Sequence, residues 1–245
     1  MLTENWEYDV LGVYNYRRDI QLKHYFDFII KNHDRIDGDI IEAGVFKGKA
    51  LLGMGLLLKE IGSDKKIFGY DTFAGFPPIY SKWDDLSYFK VQLDEGKISK
   101  EHFLKFEKNI KYRALYVSTV TSENISLSGD FSENSIDKLQ EKINILGLDN
   151  AVLVQGSFAE TMKGCFGKSI CAVLFDCDLY DSYQTVLNYV WKDLTPGGML
   201  YFDEYYSLKF PGARKSVDDF FENIPQKPKK FSQIKYDFER WGLFK

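Results

Sequence analysis

The sequence predicts an α/β protein built around a mostly parallel sheet. Short apolar segments alternate with longer segments in which apolar residues recur at helical spacing. Several short segments end in glycine or a carboxylate, as is typical of strands whose carboxyl ends open onto a ligand site. The chain has 245 residues, 44% of them apolar and 16% aromatic, so we expect a single domain over residues 1–245.

The order of elements follows from this alternation. Five parallel strands are expected, at residues 39–43, 66–70, 151–155, 171–175 and 199–202. Apolar periodicity and glycine stop signals predict helices at residues 20–32, 50–61, 131–146, 182–193 and 214–223. Residues 196–198, Pro-Gly-Gly, predict a turn, and residues 231–244 predict a closing antiparallel pair.

Residues 72–129 interrupt the alternation. They are rich in aromatic and charged residues and contain one predicted helix, at residues 100–113. Long excursions from a compact sheet often form lids or binding loops. We therefore interpret this segment as an inserted substrate lid, with an ornamental insertion or an oligomer contact as alternatives. Its aromatic residues are also compatible with a homodimer.

Composition and charge exclude several classes of partner. The net charge is −4 with acids and bases interspersed, so no basic stripe predicts nucleic-acid binding. The N-terminus lacks a signal-like pattern and no apolar run is long enough to cross a bilayer, so we expect no membrane partner and a cytoplasmic location. Cys165, Cys171 and Cys177 are odd in number and lack CxxC spacing, which predicts buried thiols.

Glycines follow the first predicted strand in the segment Glu42-Ala43-Gly44-Val45-Phe46-Lys47-Gly48. A side chain at Gly44 or Gly48 would obstruct a ligand lying across the strand ends. The G-x-x-x-G spacing differs from the G-x-G-x-x-G that dinucleotide sites use for a pyrophosphate. Asp71 ends the next strand, where a carboxylate can accept hydrogen bonds from ribose hydroxyls. Together these features favour a nucleoside-like cofactor without phosphates.

Acidic residues end two later strands, at Asp176 and at Asp203-Glu204. Carboxylates gathered at one sheet edge suit magnesium or calcium better than softer metals. The alternative is that Asp176 caps the following helix while Asp203 and Glu204 meet solvent.

Five motifs in order resemble the macrocin O-methyltransferase family: D-G-D-I-I-E-A-G-V-F-K-G (37–48), Y-D-T-F-A-G-F-P (70–77), F-D-C-D-L-Y (175–180), T-P-G-G-M-L-Y-F-D-E-Y (195–205) and P-G-A-R-K-S-V-D-D-F (211–220). The resemblance implies a three-layer Rossmann-like fold with a seven-stranded, mostly parallel sheet and an antiparallel C-terminal strand pair. It also implies methyl transfer from S-adenosylmethionine, with Mg²⁺, to a sugar hydroxyl of a nucleotide-linked sugar, a glycan precursor or a glycosylated natural product.

The same resemblance implies the site residues. Magnesium would be held by Asp176, Asp203 and Glu204. The cofactor would be bound by Glu42, Gly44, Val45, Phe46, Gly48, Asp71, Thr72, Ser157, Phe158 and Asp176. Two departures from the family pattern are Cys177 in place of glycine and Glu204 in place of aspartate.

The general base is assigned to Asp178, with Asp176 as the second catalytic residue. Catechol methyltransferases of related architecture place a lysine three residues after their first metal aspartate, where this chain has Leu179. Asp178 can alternatively cap the following helix, and His102 of the insertion is a second candidate base. Arg214-Lys215 either faces a substrate anion or pairs with Asp218-Asp219 in the same helix.

Two other functions remain open on the residues alone. A nicotinamide-dependent oxidoreductase would also use a glycine turn and a ribose-binding aspartate, although the third glycine is missing. A non-catalytic module would bind the cofactor or a partner without turnover.

Overall fold

The computed structural model describes residues 2–77, 81–165, 168–234 and 238–245, and the side chain of Cys165 lies outside that description. The described strands are β1 (Asp39–Ala43), β2 (Ile67–Asp71), β3 (Ala151–Gln155), β4 (Ile170–Phe175), β5 (Leu194–Phe202), β6 (Lys229–Lys230) and β7 (Trp241–Phe244). The described helices are α1 (Asn5–Leu11), α2 (Lys23–Asn32), α3 (Lys49–Glu60), α4 (Tyr88–Asp94), α5 (Lys100–Arg113), α6 (Ile136–Leu146), α7 (Phe158–Thr161), α8 (Tyr180–Val190) and α9 (Pro211–Phe220).

All described strands form one seven-stranded sheet in the order β3-β2-β1-β4-β5-β7-β6. The first five strands in this order are mutually parallel, whereas β7 runs antiparallel to both β5 and β6. The strand order reverses between β1 and β4, and ligands of open α/β sheets bind at such a switch point. The expected fold, with its antiparallel C-terminal pair, is confirmed.

Each face of the sheet is covered by helices. Leu51 and Leu52 of α3 pack on one face, together with residues of α2 and α6. Tyr183 and Leu187 of α8 pack on the other face, together with Val217 of α9. These three layers bury both faces, which explains why the central strand β4 is continuously apolar instead of alternating. Among the described helices, none combines the length and apolar character needed to span a bilayer.

Most predicted elements lie where the sequence indicated, and β1 and α5 have the predicted bounds. Two local predictions were wrong. The helix expected from residue 131 begins at Ile136, because Phe131 is left-handed (φ 61°) and Ser135 caps the helix by accepting the Lys138 amide. The Pro-Gly-Gly segment expected as a turn lies inside β5, where Gly197 is left-handed (φ 83°). The short helices α1, α4 and α7 were not predicted, and β6, at Lys229–Lys230, lies just before the residues given for the closing antiparallel pair.

The segment between β2 and α6 has an apolar core of its own. Phe89, Ile98, Phe106 and Ile125 pack there with Phe210, which belongs to the loop after β5. Two further bonds fasten the segment to the same loop: His102 Nε2 lies 2.8 Å from the Ser207 carbonyl oxygen, and Asn109 Nδ2 donates to the Leu208 carbonyl at 3.0 Å. The insertion is therefore anchored to the loop that follows the acidic end of β5.

Asp84 connects the insertion to two helices of the main sheet. Its side chain is 0% exposed, and Oδ1 accepts the backbone amide of Tyr180, the first residue of α8, at 2.8 Å. A Cβ at Gly212, in the first turn of α9, would lie 1.9 Å from the same Oδ1. Burial, opposed by the Tyr180 bond, raises the pKa of Asp84 to about 7.

Replacing Asp84 with asparagine should change how stability depends on pH. Because the pKa of Asp84 is raised in the folded state, the unfolded chain loses this proton at a lower pH than the folded protein does. Ionisation of Asp84 therefore lowers the free energy of unfolding as pH rises from about 4 to 7. Over this range the free energy of unfolding of Asp84→Asn should rise relative to that of the wild type, by at most about 4 kcal/mol at neutral pH. Urea unfolding at several pH values measures the difference.

The control is Asp85→Asn. Hydrogen bonds from Ser87 lower the pKa of the Asp85 carboxyl, so its contribution to the free energy of unfolding changes with pH in the opposite direction. That contribution should be small, because Asp85 is exposed. Parallel pH curves for wild type and Asp84→Asn would contradict the assignment.

Candidate functional site

The pairing register brings the acidic strand ends together. Ala43 of β1 pairs with Phe175 of β4, which pairs with Phe202 of β5. The ladder continues one residue further, since Asp176 donates its amide to the Ala43 carbonyl at 2.9 Å and Asp203 donates to the Phe175 carbonyl at 3.0 Å. Asp176 and Asp203 therefore lie side by side at the carboxyl edge of the sheet.

Glu204 completes this acidic cluster. One carboxylate oxygen from each of Asp176, Asp203 and Glu204 lies within 4.8 Å of the others. Glu204 is only 5% exposed, and Tyr183 donates its hydroxyl to Glu204 Oε2 at 2.5 Å. Arg240 Nη1 lies 3.3 Å from Asp203 Oδ1. The alternative in which Glu204 simply meets solvent is wrong.

Burial and mutual repulsion dominate the electrostatics of the cluster. Burial, followed by the Asp203 charge, raises the pKa of Asp176 to about 7. Burial also raises the pKa of Glu204 well above its ordinary value, with further contributions from Asp178 and Asp176. The cause in each case is a carboxylate removed from water and placed beside other carboxylates. A cation at this point would relieve both penalties.

Asp178 lies in the same crowded region. It is 8% exposed, its backbone is left-handed (φ 61°), and burial followed by the Asp176 charge raises its pKa well above the ordinary value. Leu179 occupies the N-cap of α8 without a side-chain bond, and the first amide of α8, that of Tyr180, donates to Asp84. The capping position is thus served by Asp84, which leaves Asp178 facing a crevice.

The crevice runs across the strand ends and has a volume of about 290 Å³. The predicted cofactor residues that line it are Gly44, Phe46, Asp71, Thr72, Ser157, Phe158 and Asp176. Residues not predicted for the site also line it: Gly75, Phe76, Pro77, Phe131, Ala159, Cys177, Leu179, Asp181, Ser182 and Thr185. Phe76 stood within a family-like motif, whereas the α8 residues carried no signal in the sequence.

Three of the predicted cofactor residues lie behind the crevice wall. Glu42 is buried with no hydrogen-bond partner for Oε2 among the described groups, and burial followed by the charges of Asp176 and Asp71 raises its pKa. Val45 is buried beneath the loop. Gly48 is left-handed (φ 78°) and a Cβ there would meet the side chain of Leu139 at 2.3 Å, so backbone conformation and packing explain this glycine.

Gly44 is required by the protein itself as well as by access to the crevice. Its φ is 90°, and an added Cβ would lie 1.8 Å from the Asp176 carbonyl oxygen. The glycine thus lets β1 and the loop after β4 approach closely, which the sequence interpretation had attributed to a ligand alone.

Asp71 organises the loops around the crevice. Its Oδ2 accepts the backbone amides of Val45 at 2.7 Å and Phe46 at 2.9 Å, and its Oδ1 accepts the amide of Phe73 at 2.7 Å. Phe46 and Phe73 are both left-handed, with φ of 50° and 52°. The carboxylate therefore holds two strained loops in place, in addition to facing the crevice.

The other singled-out residues have structural roles. His102 is buried against Tyr206 and Phe89 and does not line the crevice. Arg214 pairs with Asp218 at 3.8 Å and Lys215 pairs with Asp219, which confirms the internal pairing. Cys171 and Cys177 are buried free thiols, as predicted.

Replacing Asp71 with alanine should destabilise the fold. Three backbone amides would lose their acceptor while two left-handed aromatic residues lose their support, at a cost of about 2–4 kcal/mol. Urea denaturation monitored by circular dichroism measures the change. Asp64→Ala, at an exposed position in the loop before β2, should change the free energy of unfolding by less than about 0.5 kcal/mol. Equal values for the two variants would contradict the role given to Asp71.

Comparison with known proteins agrees with the geometry. The model of the macrocin-O-methyltransferase (TylF) family matches residues 15–120 and 118–234. Mycinamicin III 3''-O-methyltransferase of Micromonospora griseorubida is 25% identical over 76% of this chain and 61% of its own length. The 8-demethyl-8-(2,3-dimethoxy-α-L-rhamnosyl)-tetracenomycin-C 4'-O-methyltransferase of Streptomyces olivaceus is 22% identical over 76% of this chain and 59% of its own length.

The chain thus spans about three fifths of the length of these two relatives. The crystal structure of the calicheamicin methyltransferase CalS11 has the same fold, with a TM-score of 0.61 and 18% identity over 98% of this chain and 80% of that one. Because the family model covers most of the chain, the resemblance in the sequence is confirmed: the chain belongs to the macrocin O-methyltransferase family.

Proposed function

We propose that this protein is an S-adenosylmethionine-dependent O-methyltransferase that acts on a sugar hydroxyl. The observation that carries the proposal is the acidic cluster of Asp176, Asp203 and Glu204, of which Asp176 lines the crevice, in a chain of this family. The cluster favours positive charge next to the space that a nucleoside-like cofactor would fill. S-adenosylmethionine carries such a charge on its sulfonium.

The lining of the crevice supports this donor. Asp71 ends β2 and Thr72 follows it, where a ribose would lie, and Ser157 and Phe158 follow β3, where an adenine would lie. Phe158 offers an aromatic ring to the base, and among the described residues that line the crevice there is no basic side chain to hold a pyrophosphate. The crevice is thus suited to a nucleoside cofactor without phosphates, as the G-x-x-x-G spacing also indicated.

The acceptor class follows from the relatives. The Streptomyces olivaceus enzyme is named for methylating a rhamnosyl-bearing compound at a 4'-oxygen. A sugar offers neighbouring hydroxyls that would fit beside the acidic cluster. We extend that class, a hydroxyl of a sugar, to this chain.

Asp178 would act as the general base. It lines the crevice close enough to Asp176 for the charge of Asp176 to raise its pKa, and its capping role is taken by Asp84. In the reaction, the acceptor oxygen forms a bond to the methyl carbon while the carbon–sulfur bond breaks, and the hydroxyl proton passes to Asp178. Holding oxygen, carbon and sulfur in line supplies much of the rate enhancement.

A divalent cation fits the acidic cluster by the chemistry of its donors. Asp176, Asp203 and Glu204 offer only carboxylate oxygens, which are magnesium ligands, and the described contacts leave their mutual repulsion only partly offset by Arg240 and Tyr183. When bound, such an ion would hold acceptor oxygens and stabilise negative charge on them. Glutamate at residue 204 extends its reach by one methylene over aspartate and is oriented by Tyr183.

Replacing Asp178 with asparagine should lower kcat by about 100-fold or more, because a general base contributes rate enhancements of this order. The affinity for S-adenosylhomocysteine should remain, since the cofactor does not need this proton acceptor. Methyl transfer from labelled S-adenosylmethionine to a panel of sugars measures kcat, and calorimetry measures the affinity.

Asp149→Asn, at an exposed position before β3, is the matched control and should behave as wild type. A wild-type kcat for Asp178→Asn would refute its role as base. Stabilisation of the protein by nicotinamide cofactors but not by S-adenosylhomocysteine would favour an oxidoreductase, and cofactor binding without transfer to any sugar would favour a non-catalytic module.

If the acidic cluster binds a metal ion, the melting temperature of Asp176→Asn should respond to divalent ions differently from that of the wild type. Without divalent ions, this variant should unfold at a higher temperature than wild type, because it removes one of the repelling carboxylates. Added magnesium should raise the melting temperature of the wild type and leave that of the variant nearly unchanged. Full methyl transfer by protein freed of all divalent ions would exclude the metal.

A further inference from the structure

A second concave site lies outside the crevice and has not yet been given a role. It has a volume of about 440 Å³ and lies between the starts of α3 and α6. We call it the lysine pocket, and its lining residues are Lys47, Glu133, Asn134, Ser135, Lys138, Leu139 and Lys142.

Its positive charge is largely uncompensated. Three lysines line the pocket against one carboxylate, that of Glu133, whose side chain is 89% exposed and lies 4.0 Å from Lys47 Nζ. Among the described residues, Lys138 and Lys142 form no ion pair. Burial, followed by the charges of Lys49 and Lys47, lowers the pKa of Lys142, so the ammonium groups of these two lysines lie close enough to repel that of Lys142.

The charge stands out against the rest of the chain. The protein has a net charge of −4, and five of the described lysines and arginines pair with a carboxylate four residues away in their own helix, as Lys215 does with Asp219. A concave cluster of unpaired lysines costs stability through self-repulsion. An anion bound in the pocket would remove that cost.

Helix α6 adds to the attraction for anions. It is 11 residues long and begins at Ile136, directly after Ser135 of the pocket wall. The amino end of a helix carries a partial positive charge, which favours a phosphate group, although the Ser135 hydroxyl already accepts the Lys138 amide and Asp137 lies in the first turn. The pocket therefore combines lysine side chains with a helix start.

The lysine pocket shares a wall with the cofactor crevice. Phe46 and Phe131 line the crevice and contact each other edge to face, with ring centroids 5.2 Å apart. Lys47 Nζ lies 4.8 Å from the centroid of the Phe46 ring, and Glu133 follows Phe131 by two residues. A molecule that reaches over this aromatic wall would occupy both sites.

We propose that the lysine pocket binds a phosphate or diphosphate group of the acceptor, so that the sugar substrate is a nucleotide-linked or otherwise phosphorylated sugar. This inference rests on the proposed function and narrows its acceptor class. The diphosphate would be held by Lys47, Lys138 and Lys142 while the sugar extends over Phe46 toward the acidic cluster. A neutral glycoside would leave the lysines without an anion.

Binding of pyrophosphate tests the pocket directly. Calorimetry would compare wild type, the double variant Lys138→Gln with Lys142→Gln, and a control double variant, Lys31→Gln with Lys97→Gln, at exposed positions on other elements. Pyrophosphate should bind the wild type and the control, and about tenfold or more weakly to the pocket variant, because charge-assisted contacts to phosphate are lost. S-adenosylhomocysteine should bind all three proteins equally.

Methyl transfer then tests the link to the acceptor. A panel of nucleoside-diphosphate sugars and the corresponding methyl glycosides would be compared as substrates. The accepted sugar should carry the diphosphate, its KM should rise about tenfold in the pocket variant with kcat unchanged, and pyrophosphate should compete with it but not with S-adenosylmethionine.

Absence of pyrophosphate binding to the wild type, or equal binding to the pocket variant, would overturn the inference. Transfer to a methyl glycoside with the same KM in wild type and pocket variant would also overturn it. Failure of S-adenosylhomocysteine to bind, with the pyrophosphate pattern intact, would refute the proposed function and leave the anion site standing.

Discussion

The main constraint on this structure is the packing of three carboxylates, those of Asp176, Asp203 and Glu204, at one edge of a buried sheet. The register from Ala43 through Phe175 to Phe202 leaves no freedom in the spacing of Asp176 and Asp203, because each continues the ladder by one bond. The resulting repulsion contributes to the raised pKa values of Asp176 and Glu204. It is offset only in part by the Tyr183 hydroxyl and the Arg240 guanidinium. A region built in this way is arranged in advance to stabilise positive charge, without reorganisation when that charge arrives.

The loops around this edge are held by carboxylates that bond to backbone amides. Asp71 accepts three amides and so fixes the left-handed Phe46 and Phe73, while Asp84 accepts the first amide of α8 from within the insertion. All the left-handed residues other than glycine in the described chain lie in this neighbourhood, the remaining two being Phe131 and Asp178. Backbone strain is therefore concentrated at the crevice, where the surrounding bonds are strong enough to maintain it.

The sheet and its acidic edge could be predicted because both depend on local pattern. An apolar run that ends in a carboxylate specifies a strand and the position of its last side chain, as for β4 and Asp176. The bond from Tyr180 to Asp84 could not be predicted, since it joins residues 96 positions apart and Asp84 lies in the insertion, outside every motif. The glycine at residue 44 was noticed in the sequence, but its close approach to the Asp176 carbonyl depends on a tertiary contact. The start of α6 was misplaced because Phe131 adopts a backbone conformation that phenylalanine rarely adopts.

The acidic cluster and the lysine pocket lie on either side of the Phe46–Phe131 wall, and their opposite electrostatic fields would orient a charged acceptor. Carboxylates of the acidic cluster repel a phosphate, whereas the lysine pocket attracts it. At physiological ionic strength such fields extend only about 8 Å through solvent, so each acts on the part of the molecule nearest to it. On the proposed function, the reversed orientation would place phosphate among buried carboxylates and the uncharged sugar among unpaired lysines. The first contact is repulsive and the second forgoes the attraction between lysine and phosphate, so on this proposal charge favours the orientation that turns the sugar hydroxyls, and not the phosphate, toward the methyl donor.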